Sequence, residues 1–296
     1  MDKLGIRRSM LSRIMPAIGS LTKRGLAGWL VIFGAVIVAS IIIMTLIAPW
    51  VSPYDPSTGG INTGAPLTPP NSQFPFGTND LGQDMLSRVI SGGGIMLQVA
   101  LLSVIICLIV GVPLGLFSSY IGGVLDRTIC LVMDSVYAFP GLILAIAIAA
   151  MLGRGVTNMA LSIAVVYVPS YFRVIRSQVL SIKEMPYVEA AQSVGAKSRT
   201  ILFDYILPNV VPSIVVVATV NFADAILTAA GLTFIGLGVE VDIPDWGWDL
   251  TNGRRLLPSG VWWVITFPGI FIILLALGFT LMGEGLSELL NPKLGE

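Results

Sequence analysis

The sequence predicts an all-α polytopic membrane protein with six transmembrane helices. Three observations carry that prediction. Of 296 residues, 55% are hydrophobic and 11% are charged, whereas about a quarter of an ordinary soluble domain is charged. Uncharged runs recur along the chain, at 25–54, 89–125, 135–153, 155–172, 205–223 continuing past Asp224 to 239, and 256–283. Each supplies the roughly 20 apolar residues that carry a helix across hydrocarbon, where every backbone N–H and C=O must be satisfied within the segment. Finally, Lys3, Arg7, Arg8, Arg13, Lys23 and Arg24 precede the first run, and short-loop Lys and Arg mark the cytoplasmic side. Six spans then place both termini inside. The inside loops carry Arg127, Arg173, Arg176, Lys183, Lys197, Arg199 and Lys293, against Arg88, Arg154, Arg254 and Arg255 outside.

These signals divide the chain into a cytoplasmic tail at 1–27, a first transmembrane helix at 28–50 and an external loop with an interfacial helix at 51–92. A five-helix core at 93–290, with a cytoplasmic loop at 176–208, and a tail at 291–296 complete it. The first run is too long for a secretory signal and lacks a small-x-small site before Pro49, so it reads as a retained span. Pro53, Pro56, Pro66, Pro69, Pro70 and Pro75 then forbid regular helix and favour extended chain. In NDLGQDMLSRVI, Leu81, Met85, Leu86, Val89 and Ile90 share one helical face, with Asn79 or Asp80 as N-cap. This predicts a short helix at the outer interface, serving either as a lid on the spans or as a substrate contact. The turns SSYIGGVLD and GRGVTN join spans two to three and three to four and are too short for domains. Pro208 and Pro212 open span five, and Gly231, Gly236 and Gly238 close it; small residues let helices approach closely in lipid. The last external loop carries Glu240, Asp242, Asp245 and Asp249, then Arg254 and Arg255, among Trp246, Trp248, Trp262 and Trp263. It reads either as an aromatic belt at headgroup level or as a docking surface for an external partner.

Composition excludes several functions. Histidine is absent, which removes Ser-His and Cys-His nucleophilic catalysis and His-based metal sites. Cys107 and Cys130 lie in or beside apolar runs without ligand spacing and read as packing residues. No Gly-x-x-x-x-Gly-Lys-Ser/Thr loop is present, so any ATP hydrolysis of the P-loop kind belongs to another chain. An intramembrane carboxylate costs about 2.5–3.5 kcal/mol at a helix centre. Asp224 therefore either borders a substrate path or hydrogen-bonds a neighbouring helix, while Asp134 and Glu284, near the cytoplasmic ends of spans three and six, read as structural. A secondary transporter using these acids as ion sites would predict an inverted repeat, and none is visible. A non-transport scaffold is compatible with hydropathy alone.

The long cytoplasmic loop, from Arg173 to Asn209, contains MPYVEAAQSVGAKSRTILFDYILPN. Pro186 suits a first helical turn, after which Tyr187, Ala190, Ala191 and Val194 fall on one face. Gly195 suits a left-handed cap. A second helix capped by Ser198 runs through Ile201, Leu202, Tyr205 and Ile206 until Pro208 breaks it. Such an elbow, with small Ala190 and Ala191 beside Glu189, suits insertion into a groove of another protein. It equally suits an amphipathic loop on anionic lipid, met by Lys183, Lys197 and Arg199.

EAAQSVG at 189–195 followed by ILPN at 206–209 resembles the EAA signature of the permeases of ATP-binding-cassette (ABC) importers. Further segments resemble the dipeptide/oligopeptide C-type subfamily: SPYDP at 52–56, FGTNDLGQDMLSR at 76–88, MDSVYAFPGLILAI at 133–146, AILTAAGLTFIGLG at 225–238, and WWVITFPG through LMGEGLSELLNPK at 262–293. The resemblance implies a type I importer permease fold in a prokaryotic cytoplasmic membrane, and a transport subunit rather than an enzyme. It implies as partners a second permease, two ABC ATPases, an external substrate-binding protein and membrane lipid, with no nucleic acid. ATP and Mg would reside on the ATPases and no cofactor on this chain. The loop at 176–208 would be the coupling loop, with Tyr187, Glu189, Ala190, Ala191, Gly195, Leu207 and Pro208 as its contact and shaping residues. The subfamily often has an acid just before its Gly-Leu-Gly segment; here Ala229 and its neighbours stand there and Asp224 lies about a turn and a half earlier. Peptides, nickel and oligosaccharides are all cargoes of that subfamily, chosen largely by the binding protein.

Overall fold

The computed structural model describes residues 25–55, 64–239 and 244–290. The basic N-terminal residues, Pro56, the acids Glu240 and Asp242, and the tail with Lys293 lie outside the described residues. Among the described residues the structure is helical without strands, apart from an isolated bridge between Thr78 and Asp84. The helices are α1 (Leu26–Leu46), the one-turn α2 (Ala48–Val51), α3 (Met85–Ile121), α4 (Gly123–Tyr137) and α5 (Gly141–Leu152). There follow α6 (Val156–Lys183), α7 (Pro186–Ser193), α8 (Ser198–Phe234), α9 (Trp246–Leu256) and α10 (Trp263–Leu290).

Five of these, α1, α3, α6, α8 and α10, are long and apolar enough to cross a membrane individually. The third span expected at 135–153 is not one straight helix. It is the pair α4 and α5, which together pass the same test but turn through 90° between them. Pro140 stands at the break: a proline offers no N–H to continue α4 and disfavours helix in the residue before it, and Pro140 itself adopts φ −57°, ψ 119° as the N-cap of α5. The separate interfacial helix is also corrected. Asp84, not Asn79 or Asp80, is the N-cap, accepting from the Ser87 N–H at 2.9 Å, and from Met85 the helix runs unbroken into the second span. Asn79 instead holds a turn, its Oδ1 accepting from Leu81 and Gln83 N–H groups.

The most extensive helix contact is α3 on α6. Lipid tails are as apolar as leucine, so close approach must replace the hydrophobic drive. A Cβ at Gly111 would stand 2.7 Å from the Tyr171 Cβ, and one at Gly115 2.9 Å from the Ile175 Cβ. Around this pair, α5, α8 and α10 complete a central cluster that includes Met96, Val99, Ala145, Ile163, Ile226 and Leu275. Helix α1 lies along α10. At the other end of α6, a second cluster gathers Leu116, Ile175, Val179, Ile182, Ile201, Leu202, Ile206 and Val210.

Residues 64–84, the start of α3, α9 and the start of α10 form a cap at the opposite end. Phe76 stacks on Phe267 at 3.9 Å between centroids, and Met85, Val261, Trp263 and Val264 form its apolar core. The last loop thus contains a helix, and its tryptophans are not simply a belt. Trp246 is fully buried and donates its indole N–H to the Val89 carbonyl at 2.8 Å, whereas Trp262 stays half exposed. Arg88, fully buried, donates Nε to Asp249 at 2.8 Å and Nη1 to Gln83 at 3.0 Å. Burial, reinforced by nearby Asp249 and opposed by the Trp248 N–H and Arg88, pushes the Asp245 carboxyl up to about 7.

Three outcomes follow. Gly111→Val should lower stability by about 1–3 kcal/mol by forcing α3 off α6, read as a lower thermal midpoint in detergent. Gly94→Ala, whose Cβ would meet ordinary van der Waals contact at 3.5 Å, should not lower it. Arg88→Leu should cost about 3–5 kcal/mol because Asp249 is left as an uncompensated buried charge, while Arg88→Leu with Asp249→Leu should cost less. An unfolded aspartate titrates near 3.9, so between about 4 and about 7 the folded chain retains a proton at Asp245 that the unfolded chain has lost. Its contribution is full below that window and is lost as pH rises through it. Asp245→Asn keeps the cap acceptor and should reduce the fall in thermal midpoint between about pH 5 and about pH 8.

Candidate functional site

Helix α7 sits on the cluster at the end of α6. Pro186 occupies its first turn, as its missing N–H and fixed φ dictate. At its end Gly195 takes φ +80°, with the Gly195 N–H donating to the Gln192 carbonyl and the Ala196 N–H to that of Ala191. This paired closure needs a left-handed residue, which glycine supplies without a Cβ penalty. The connection between long helices is therefore 184–197 rather than 176–208. Helix α6 persists to Lys183 because Ile175, Val179 and Ile182 extend its buried stripe onto the same cluster.

The faces of α7 differ from the expected ones. Val188 and Ala191 point inward, Val188 joining Ile182, Ile201 and Ile206. Of the expected stripe of Tyr187, Ala190, Ala191 and Val194, only Ala191 is buried; Tyr187 is 43% exposed and Val194 85%. The inward pair at i, i+3 wins because it meets apolar side chains of α6 and α8, whereas Val194 already lies past the helix as its C-cap. Glu189 and Ala190 are exposed. Tyr187 stacks near Tyr205, ring centroids 6.5 Å apart, and partial burial raises its phenol, which therefore stays a neutral donor. The outward face thus combines an aromatic rim, one acid and a small residue that permits close backbone approach.

Helix α8 starts at Ser198, but Lys197, extended at φ −66° and ψ 145°, holds the N-cap position and no side chain caps it. Pro208 does not end the helix. Residues Ile201–Ile206 form a π-helical turn, and the Leu207 N–H reaches five residues back to the Leu202 carbonyl. The wider turn accommodates the proline ring, and the Asn209 amide donates to the Tyr205 carbonyl at 2.6 Å. Leu207 and Pro208 lie half-buried in the first α-helical turn beyond it.

Asp224 lies in the last third of α8 and is half-buried. Its backbone carbonyl is 3.4 Å from the Tyr167 hydroxyl, which pairs with Thr228 at 2.8 Å. Among the described residues, its carboxylate takes no hydrogen bond and no ion pair. Asp134 is paired with Arg173 at 2.7 Å, and Glu284 is exposed. The structure thus brings Tyr187, Glu189, Ala190, Ala191, Gly195, Leu207 and Pro208 together at one end and leaves Asp224 apart. Sequence reading missed Val188, since eight residues are too few for periodicity to decide which stripe faces inward.

Residues 111–296 match the family described as the binding-protein-dependent transport system inner membrane component, and residues 29–70 match the N-terminal transmembrane domain of oligopeptide transport permease C. The chain is 40% identical over 265 residues to a dipeptide transport system permease protein of Alkalihalophilus pseudofirmus, covering 90% of this chain and 86% of that protein. It is 40% identical over 267 residues to a di/tripeptide transport system permease protein of Pseudomonas aeruginosa (88% and 87%), and 37% identical over 254 residues to a glutathione transport system permease protein of Pectobacterium atrosepticum (83% and 81%). A match over well over half the chain, together with these relatives, shows that it belongs to the family of binding-protein-dependent inner membrane transport components and is a multi-pass permease subunit of an ABC importer.

Proposed function

We propose that this permease imports short peptides and that its elbow, 184–197, docks an ABC ATPase. The observation that carries the docking reading is the two-faced α7: Val188 and Ala191 are buried against the bundle, while Glu189, Ala190 and Val194 are exposed on the outward side, with Tyr187 half-covered beside Tyr205 at its rim. A helix held on one side and open on the other transmits force in both directions between bundle and partner. Two ATPases carry ATP and Mg, a second permease completes the path, and an external binding protein delivers cargo. The chain itself is a transport component and not an enzyme. Peptide cargo is supported by the relatives named for dipeptide, di/tripeptide and glutathione transport.

In this reading Gly195 shapes the elbow, Pro208 stands just past the π-helical turn at the foot of α8, and ATP binding drags the elbow so that the path alternates between openings. Shifting such an equilibrium from mostly one state to mostly the other takes about 5.5 kcal/mol of differential binding. Asp224 belongs to the path: an intramembrane carboxylate without a protein partner is tolerated where water reaches it.

Affinity purification of the tagged chain from its own membranes should bring down P-loop ATPases and a second permease. Ala190→Trp, which adds bulk to the outward face without touching Val188, should remove most of the ATPase and abolish ATP-dependent uptake of a labelled dipeptide into vesicles containing the binding protein. Gly195→Val should act likewise by straining the φ +80° turn. Undiminished ATPase recovery with Ala190→Trp would sink the docking assignment.

A further inference from the structure

Helix α4 is sparsely embedded. Of its fifteen residues Asp126 alone is buried, and Val124, Leu125, Leu131, Val132 and Tyr137 are uncovered. Its neighbours are α3 and α6, with Met133 as an apolar foothold against the group around Tyr171. The remaining grip is ionic. Arg176 forks onto Asp126, its Nε donating to Oδ1 at 3.0 Å and to Oδ2 at 3.1 Å and its Nη2 to Oδ2 at 2.7 Å, while Ser118 donates to the same carboxylate at 3.3 Å. Further along, Arg173 donates both Nε, at 3.2 Å, and Nη2, at 2.7 Å, to the single oxygen Oδ1 of Asp134, and lies 3.9 Å over the Tyr137 ring.

Arg173 and Arg176 are one turn apart on one face of α6. Seven residues after Arg176, Lys183 donates to the Tyr120 carbonyl at the end of α3 at 2.9 Å. Immediately beyond Lys183 the chain enters α7 through Glu184 and Met185. The ionic grips therefore lie on the helix that carries the elbow, between it and the broken segment. Past the bend, α5 buries Ala145 and Ala149 in the central cluster. A bidentate Arg–carboxylate pair resists changes of angle as well as distance, because two parallel hydrogen bonds fix the fork. The Arg173–Asp134 pair, 42% and 50% exposed, contributes little to folding and is not a fork, since both donors meet one oxygen, yet it tethers α4 to α6 at a second point.

We propose that Asp126–Arg176 and Asp134–Arg173 form a two-point clasp that makes α4 travel with α6, so that displacement of α7 reaches the bent α4–α5 segment. All four are positioning residues. The proposal rests on the reading of α7 as the ATPase dock.

The test uses the complex that purifies with the chain, after Cys107→Ser and Cys130→Ala, the alanine placing no hydroxyl donor beside Asp134. Spin labels are placed on Thr128→Cys in α4 and Met151→Cys at the end of α5. With the clasp intact, the label distance should shift between the nucleotide-free complex and one trapped with ATP, Mg and vanadate. The shift should vanish in Asp126→Asn with Asp134→Asn, although ATPase remains bound, and should return when Asp126→Arg is combined with Arg176→Asp. Should the Asp126 variants not accumulate, Asp134→Asn alone, at a half-exposed pair, should reduce the shift. A shift that survives neutralisation, or is missing with the clasp intact in an ATPase-bearing complex, overturns the clasp alone. If no ATPase accompanies the unaltered chain, the docking reading fails and takes the clasp with it.

Discussion

The contact between α3 and α6 is the constraint on which the rest of this structure depends. Because lipid gives no reward for hiding one leucine behind another, the two helices hold by backbone approach at Gly111 and Gly115. That approach fixes where the far half of α6 projects. The stripe of Ile175, Val179 and Ile182 then meets Leu116 from α3 and the foot of α8, creating the seat into which Val188 fits. The elbow is thus an outgrowth of the bundle core, and its orientation is decided in part by two glycines about seventy residues earlier in the chain.

The two ends of the bundle use different physics. The cap encloses a buried ion pair and capped helix starts, with Arg88 reaching Asp249 across 161 residues of chain. The elbow end has exposed apolar and small residues, one half-exposed ion pair and one pair whose carboxylate is buried.

Much of this was legible from local chemistry. Pro186 and Gly195 declared the limits of α7, since an imino acid and a left-handed turn act where they stand in the sequence. The uncharged runs located the long helices. What escaped was non-local. The caps Asn79, Asp80 and Asp84 are equivalent to a pattern reader; only the fold of 64–84 against the bundle selects Asp84. The burial of Trp246 depends on its indole meeting the Val89 carbonyl 157 residues away. Pro140 and Pro208 carry the same local signal, yet one bends a span through 90° while the other is absorbed, because a π-helical turn precedes only Pro208. The pairing of Arg176 with Asp126 likewise became visible only when α4 was placed beside α6.

That π-helical turn also bears on how the chain can vary. A turn closed by five-back hydrogen bonds houses one residue more than its α-helical counterpart, so Ile201–Ile206 acts as a slack link in an otherwise continuous helix. Losing one residue there, with Pro208 replaced by a residue that has an N–H and no ring to clash with the carbonyl four residues back, would tighten the link into ordinary α-helix without rotating the elbow on one side or the membrane-crossing face on the other. The same deletion a few turns later, within the regular part of α8, would swing every downstream side chain, Asp224 included, by about 100° around the helix axis. Length changes are thus buffered at the foot of α8, and the two working surfaces it joins can diverge in sequence without losing their alignment.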